Sequence, residues 1–139
     1  MHSLAGQETI LVVDDENIVL NLASMMLRRF GYDVLTAANS AEALKLIALG
    51  PEVKIDLLLV DIILPGMNGL TLAEQASALR PQLLVLYMSG LSERDLLESV
   101  LPREISCLAK PFTSLQLTRR VRDVLDGLEA RSRTASSDS

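Results

Sequence analysis

The sequence predicts an α/β protein: a five-stranded parallel sheet in the order 2-1-3-4-5, doubly wound by five helices. Three observations lead there. Five short apolar runs alternate with five segments of helical periodicity, and strands spaced by helices in this way form parallel sheets covered on both faces. The runs are apolar nearly throughout, as strands buried on both faces should be. Runs one, three, four and five stop on polar residues at their carboxyl ends, namely Asp14 and Asp15, Asp61, Ser89 and Lys110.

The elements follow in order. Residues 10–13, Ile-Leu-Val-Val, form the first strand and stop on Asp14-Asp15. Ile18, Leu22, Met25 and Met26 then recur at helical spacing up to Phe30, and Gly31 ends that helix. Residues 33–37 alternate into the second strand. Asn39 or Ser40 caps the next helix, with Ala41, Leu44, Ile47 and Ala48 on its apolar face and Gly50-Pro51 as its stop. The third strand, 57–60, ends on Asp61, after which Pro65, Gly66 and Gly69 turn the chain.

Leu72, Ala73, Ala76 and Leu79 mark a third helix ending near Arg80-Pro81. Residues 83–88 are the fourth strand, closing on Ser89-Gly90. A short helix is expected over 92–101, broken by Pro102. Residues 105–109 form the fifth strand, ending at Lys110-Pro111-Phe112. The last helix covers 114–128, with Leu117, Val121, Val124 and Leu128 facing the core. Right-handed crossovers leave few arrangements for five such units, and the flavodoxin-like order 2-1-3-4-5 is the common one. The domain reading is a tail over 1–8, one folded domain over 9–129 and a disordered polar tail over 130–139.

Composition bounds the function. A chain of 139 residues makes about one domain. It is 49% hydrophobic, yet has two Tyr, two Phe and no Trp, so Leu, Val, Ile, Ala and Met must build the core. The net charge of −5, without a basic block, argues against a nucleic-acid surface. A single cysteine, Cys107, forms no internal disulfide and fits a reducing compartment. No apolar run approaches the ~18 residues of a membrane span, and the first residues do not read as a signal peptide. A cytoplasmic protein without membrane contact is the expectation.

In the expected strand order, strands 1, 3, 4 and 5 are contiguous, so their polar ends converge on one crevice. Each residue has a bland reading beside the functional one. Asp61 could cap its own loop. Asp14 and Asp15 could serve the N-terminus of the following helix. Lys110 could be a solvated strand end, and Ser89-Gly90 an ordinary turn. Together, however, three carboxylates in one crevice repel, and a hard divalent cation with oxygen ligands relieves that. A lysine over the same crevice is a point charge for an incoming anion. A hydroxyl and a backbone N–H from Ser89-Gly90 can hold a phosphoryl oxygen. A nucleophilic carboxylate, a metal, a lysine and a hydroxyl are the parts needed for phosphoryl transfer to Asp.

At this point the chain resembles the receiver domain of two-component response regulators, over nearly its whole length. The matching residues are V-V-D-D ending on Asp15, D-I-I-L-P-G-M-N-G beginning on Asp61, M-S-G around Ser89, and K-P-F beginning on Lys110. The resemblance implies that Asp61 accepts a phosphoryl group from a histidine kinase or a histidine phosphotransfer protein. It implies Mg²⁺ held by Asp15, by Asp14 through water, by the Asp61 carboxylate and by the Ile63 backbone carbonyl. Ser89, Gly90, Ile62 and Lys110 would hold phosphoryl oxygens, and the Lys110–Pro111 bond would be cis. Such a domain catalyses its own phosphorylation and dephosphorylation and is otherwise not an enzyme. An output partner is expected on the 92–129 face, and the chain is expected to be a monomer or weak dimer.

Two departures from the family pattern stand out. Three residues before the lysine, where the family commonly carries an aromatic switch residue, this chain has Cys107. The switch set is then Ser89 and Cys107, with Tyr87 the nearest aromatic. Ile63 and Leu91, both apolar, occupy the positions that flank the path of the hydrolytic water, so slow self-dephosphorylation is expected. The wording Y-M-S-G from Tyr87 to Gly90 resembles receivers attached to hybrid sensor kinases; a stand-alone regulator is the other form. Two further classes fit the residues less well. A phosphatase of the haloacid dehalogenase type needs an Asp two residues after the nucleophile, where Ile63 stands. A phosphorylation-independent scaffold would gain nothing from a cluster of like charges.

Overall fold

A computed structural model describes residues 4–90 and 106–127. The elements are β1 (Thr9–Val13), α1 (Asn17–Arg29), β2 (Asp33–Ala37), α2 (Ser40–Ile47), β3 (Leu57–Asp61), α3 (Gly69–Leu79), β4 (Leu84–Gly90), β5 (Cys107–Lys110) and α4 (Ser114–Leu125). All strands are parallel, in the order β2-β1-β3-β4-β5. Four helices lie among the described residues. The expected helix over 92–101, with Leu91, Ile105 and Leu128, lies outside them.

The helices divide the core into two layers. On one face of the sheet, Leu58, Val60, Val85 and Tyr87 pack against Ala43 and Ile47 of α2 and Leu72, Ala73 and Ala76 of α3. On the other, Ile10, Val12, Leu59 and Met88 pack against Leu20, Ala23 and Leu27 of α1 and Leu117, Val121 and Val124 of α4. Every residue of β1 and β3 is buried, which is why residues 10–13 and 57–60 read as unbroken apolar runs.

The helix ends follow local chemistry. At the end of α1, Gly31 takes φ +98°; its N–H donates to the Arg28 carbonyl, and the Tyr32 N–H to that of Leu27. This is the paired closure that only a left-handed residue permits cheaply. Asn39, not Ser40, caps α2, accepting from the Glu42 N–H at 2.8 Å. Asn68 caps α3, and Thr113 and Gln116 form a reciprocal capping box at α4.

The apolar faces differ from the expected ones in α1 and α2. Ile18, Leu22 and Met25 are exposed (74%, 46% and 62%), and the buried stripe of α1 is Leu20, Ala23, Ser24 and Leu27. Two apolar stripes interlace on this helix; the one bearing the small Ala23 and Ser24 lets the helix approach the sheet. In α2, likewise, Ser40, Ala43 and Ile47 are buried, while Ala41 and Ala48 are exposed.

Two arginines tie loops to helices. Arg80, after α3, donates to the carbonyls of Ile47 (2.9 Å), Val53 (2.6 Å) and Gly50 (2.9 Å), around the end of α2. A cation there also suits the helix dipole. At the amino end of the sheet, Arg122 of α4 is buried. Its guanidinium pairs with Glu8 (2.7 and 3.1 Å) and Asp126 (2.8 and 3.1 Å) and donates to the Tyr32 hydroxyl (3.1 Å) and the Ala5 carbonyl (3.2 Å). The network fastens α4 to the chain entering β1 and to the α1–β2 turn.

Candidate functional site

The opposite, carboxyl end of the sheet gathers the acidic residues. Val13 and Val60 are neighbours in the β1–β3 register, so Asp14 and Asp61, next along each strand, arrive side by side. Both are buried, at 0% and 4% exposure, whereas Asp15 is exposed. Each of Asp14, Asp15 and Asp61 offers a carboxylate oxygen within 4.8 Å of the others.

Each buried carboxylate is oriented by a backbone N–H two residues on. Asp14 Oδ1 accepts from Glu16 (2.9 Å), and Asp61 Oδ1 accepts from Ile63 (3.0 Å). Lys110, brought across from β5, donates through Nζ to Asp61 Oδ2 at 2.8 Å and Asp14 Oδ2 at 3.1 Å. It also reaches Glu16 at 3.4 Å. Glu16 is the contributor that sequence reasoning passed over; its only signal was adjacency to the Asp pair. The bond from Lys110 to Pro111 is cis, as expected.

The electrostatics are unbalanced. Burial pushes Asp61 up to about 6, against the bonds from Lys110 and Ile63. Burial likewise raises Asp14 above the usual carboxylate range, although the Glu16 N–H and Lys110 oppose it. Burial disfavours the Lys110 ammonium, yet its bonds to Asp61 and Asp14 prevail and raise its pKa. One cation among several carboxylates leaves net negative charge, all of it on hard oxygen donors. Those residues therefore fit a divalent cation such as Mg²⁺, and the exposed Asp15 gives it access to solvent.

Gly69 holds the strand end in place. As the first residue of α3, it donates to the Ile62 carbonyl at 2.7 Å. A β-carbon at this position would collide with the Asp61 carbonyl oxygen and lie 2.9 Å from the Ile62 α-carbon. Only glycine lets the helix begin directly beneath the acidic crevice.

The remaining predicted residues divide. Ser89, at the end of β4, is fully buried, with Oγ 3.4 Å from Cys107 Sγ; Gly90 closes the strand. Tyr87 is packed in the core at 1% exposure, and burial raises its phenol above its ordinary pKa. Ile63 is 45% exposed in the turn after β3. The Ile62 N–H donates to the Met88 carbonyl at 3.0 Å, because sheet pairing continues one residue past Asp61. The Ile63 N–H is the one directed at the Asp61 carboxylate.

A doubly wound sheet with an acidic cluster, a lysine and a hydroxyl at its carboxyl end defines a class of signalling receiver. Residues 10–122 match the response regulator receiver domain family, and the chain belongs to it. It is 34% identical to the sensor kinase CckA of Brucella abortus over 126 residues, 88% of this chain and 13% of that protein. It is 31% identical to the receiver protein CpdR of the same organism, covering 84% of this chain and 95% of that one. It spans 48% of the length of two further relatives, a transcriptional regulatory protein and an aerobic respiration control protein. Among solved structures, a response regulator receiver protein from Sinorhizobium medicae superposes with a TM-score of 0.74 at 30% identity, covering 88% of this chain and 98% of that one.

Proposed function

We propose that this receiver is a phosphorylation-dependent switch in a two-component phosphorelay, with Asp61 as phosphoacceptor. The supporting observation is the state of Asp61: buried, pushed up to about 6, and aligned on one oxygen by the Ile63 N–H and on the other by Lys110. In the reaction, an Asp61 carboxylate oxygen attacks the phosphorus of a phosphohistidine. The P–O bond forms as the P–N bond breaks, and the imidazole leaves. Lys110 neutralises charge as it spreads onto the phosphoryl oxygens, and Ser89 and the Gly90 backbone donate to them from β4. Asp15, Asp61 and the Ile63 carbonyl would hold Mg²⁺, with Asp14 through water. The ion would supply positive charge to the transferring group.

The donor is a histidine kinase or a histidine phosphotransfer protein. Ile18 and Ile63, exposed just beyond Asp15 and Asp61, offer it apolar contact beside the acceptor. Output passes to a protein partner on the surface expected over 92–129, of which 106–127 are described, without nucleic acid, from a monomer or weak dimer in the cytoplasm. Relatives of both forms, sensor kinase and free receiver, match this chain.

The test is incubation with a small-molecule phosphodonor, with and without Mg²⁺, read by intact mass. A Mg²⁺-dependent phosphoryl adduct is expected in the wild type and none in Asp61→Ala. Mg²⁺ binding without an adduct would point to a receiver that is locked or partner-dependent, and failure of both would leave only the phosphorylation-independent scaffold.

A further inference from the structure

The least expected contact in the molecule lies beside the acceptor, where the side chain of Ser89 meets a thiol. Across the β4–β5 pair, Tyr87 stands opposite Cys107, so Cys107 is diagonal to Ser89 on the same face of the sheet. The two side chains meet at 3.4 Å, within reach of a hydrogen bond to sulfur, and Ser89 is fully buried there. Cys107, half-buried, packs against the cluster that contains Tyr87. Either group can donate in this contact, and in both directions a thiol is a weak partner for a hydroxyl.

We infer that Cys107 is a positioning residue for Ser89, its thiol holding the Ser89 hydroxyl toward β5 until a phosphoryl group on Asp61 competes for it. The inference rests on the reading of Asp61 as phosphoacceptor. A phosphoryl oxygen is a strong, charged acceptor and a thiol a weak partner in either direction, so the exchange runs toward the phosphoryl group. The bond to Cys107 opens when Ser89 turns. Strand β5 is thereby coupled to phosphorylation through a hydrogen bond instead of through the bulk of an aromatic ring. Cys107 fills little volume, and its small size is no defect in such a device.

The experiment is a double-mutant cycle on binding of beryllium trifluoride, a phosphoryl mimic, with Mg²⁺, read by fluorine NMR. Cys107→Val deletes the bond at similar volume and should tighten the mimic roughly two- to tenfold, the range of one weak hydrogen bond. Cys107→Ser, whose hydroxyl is a stronger partner than a thiol, should hold Ser89 at least as firmly and bind the mimic no more tightly than the wild type. In a Ser89→Ala background, Cys107→Val should change nothing, because the hydroxyl it releases is gone. Equal tightening in that background would make the effect one of packing and overturn the inference. Unchanged or weaker binding in Cys107→Val would overturn it too. Urea unfolding checks that each variant folds, and Cys107→Ala replaces the valine variant if that one does not. If the wild type takes no mimic, the Asp61 reading falls and this inference with it. If the wild type binds and the cycle is additive, only the role of Cys107 falls.

Discussion

At the amino end of the sheet, Arg122 meets Glu8 and Asp126 in paired geometry and adds a phenol and a carbonyl. At the carboxyl end, Lys110 meets Asp61, Asp14 and Glu16 as a single point charge. The ingredients are alike and the outcomes opposite. The Arg122 bonds hold Glu8 below the usual carboxylate range, while burial pushes Asp61 and Asp14 above it. Glu8 and Asp126 stay partly exposed and are met by a planar fork, whereas Asp14 and Asp61 are buried and share one ammonium that does not offset that burial. The first arrangement is a fastening. The second holds uncompensated charge and so keeps a place for a cation or a phosphoryl group.

This contrast can be broken from either end. The largest effect is expected at the fastening: Arg122→Met should lower stability by about 2–4 kcal/mol, since it strands Glu8 and Asp126 beside the core. Urea unfolding at neutral pH reads it. Because Glu8 is lowered, its contribution is present above its unfolded pKa of 4.5 and fades as pH falls through the folded value. The deficit of Arg122→Met should therefore shrink in acid, and a pH-independent deficit would assign it to packing alone.

Asp61→Asn should act in the other direction, stabilising the Mg²⁺-free protein by about 1–3 kcal/mol at pH 7, at roughly 1.4 kcal/mol per pKa unit. Asp61 is raised from 3.8 to about 6, so the native state holds its proton more tightly than the unfolded chain. The associated stability is complete below pH 3.8 and is lost as pH rises through about 6. The advantage of the asparagine should accordingly be absent in acid and full above that point. A loss of stability in Asp61→Asn would instead mark the carboxylate as a structural cap. Smallest is the effect on hydrolysis. Exchanging Ile63 and Leu91 for Asn and Glu should shorten the aspartyl phosphate lifetime about tenfold, or 1.4 kcal/mol in the barrier. An unchanged lifetime would remove the apolar pair from the account.

The carboxyl end was the legible one. Its polar residues interrupt apolar runs at strand ends, and alternating strands and helices imply an order that brings them together. Arg122 gave little sign: an arginine on an amphipathic helix reads as solvent-facing, and apart from Asp126 one turn on, its partners Tyr32, Ala5 and Glu8 are remote in sequence. The inner face of α1 was hidden for a different reason. Its large apolar residues mark one stripe, but contact with the sheet goes to the stripe that includes Ala23 and Ser24. Close approach selects small side chains, and periodicity counts apolar ones. Gly69 read as a turn residue, whereas its place is the first turn of α3, pressed against the Asp61 carbonyl.

The three carbonyls that Arg80 gathers bear on how the molecule opens locally. Ile47, Gly50 and Val53 span the last residue of α2 and the loop beyond it, and all are held by one side chain anchored at the end of α3. That loop cannot fray carbonyl by carbonyl, since releasing the guanidinium frees all three. In hydrogen exchange, the end of α2, the loop and the end of α3 should therefore behave as one cooperative unit, sharing a single opening free energy.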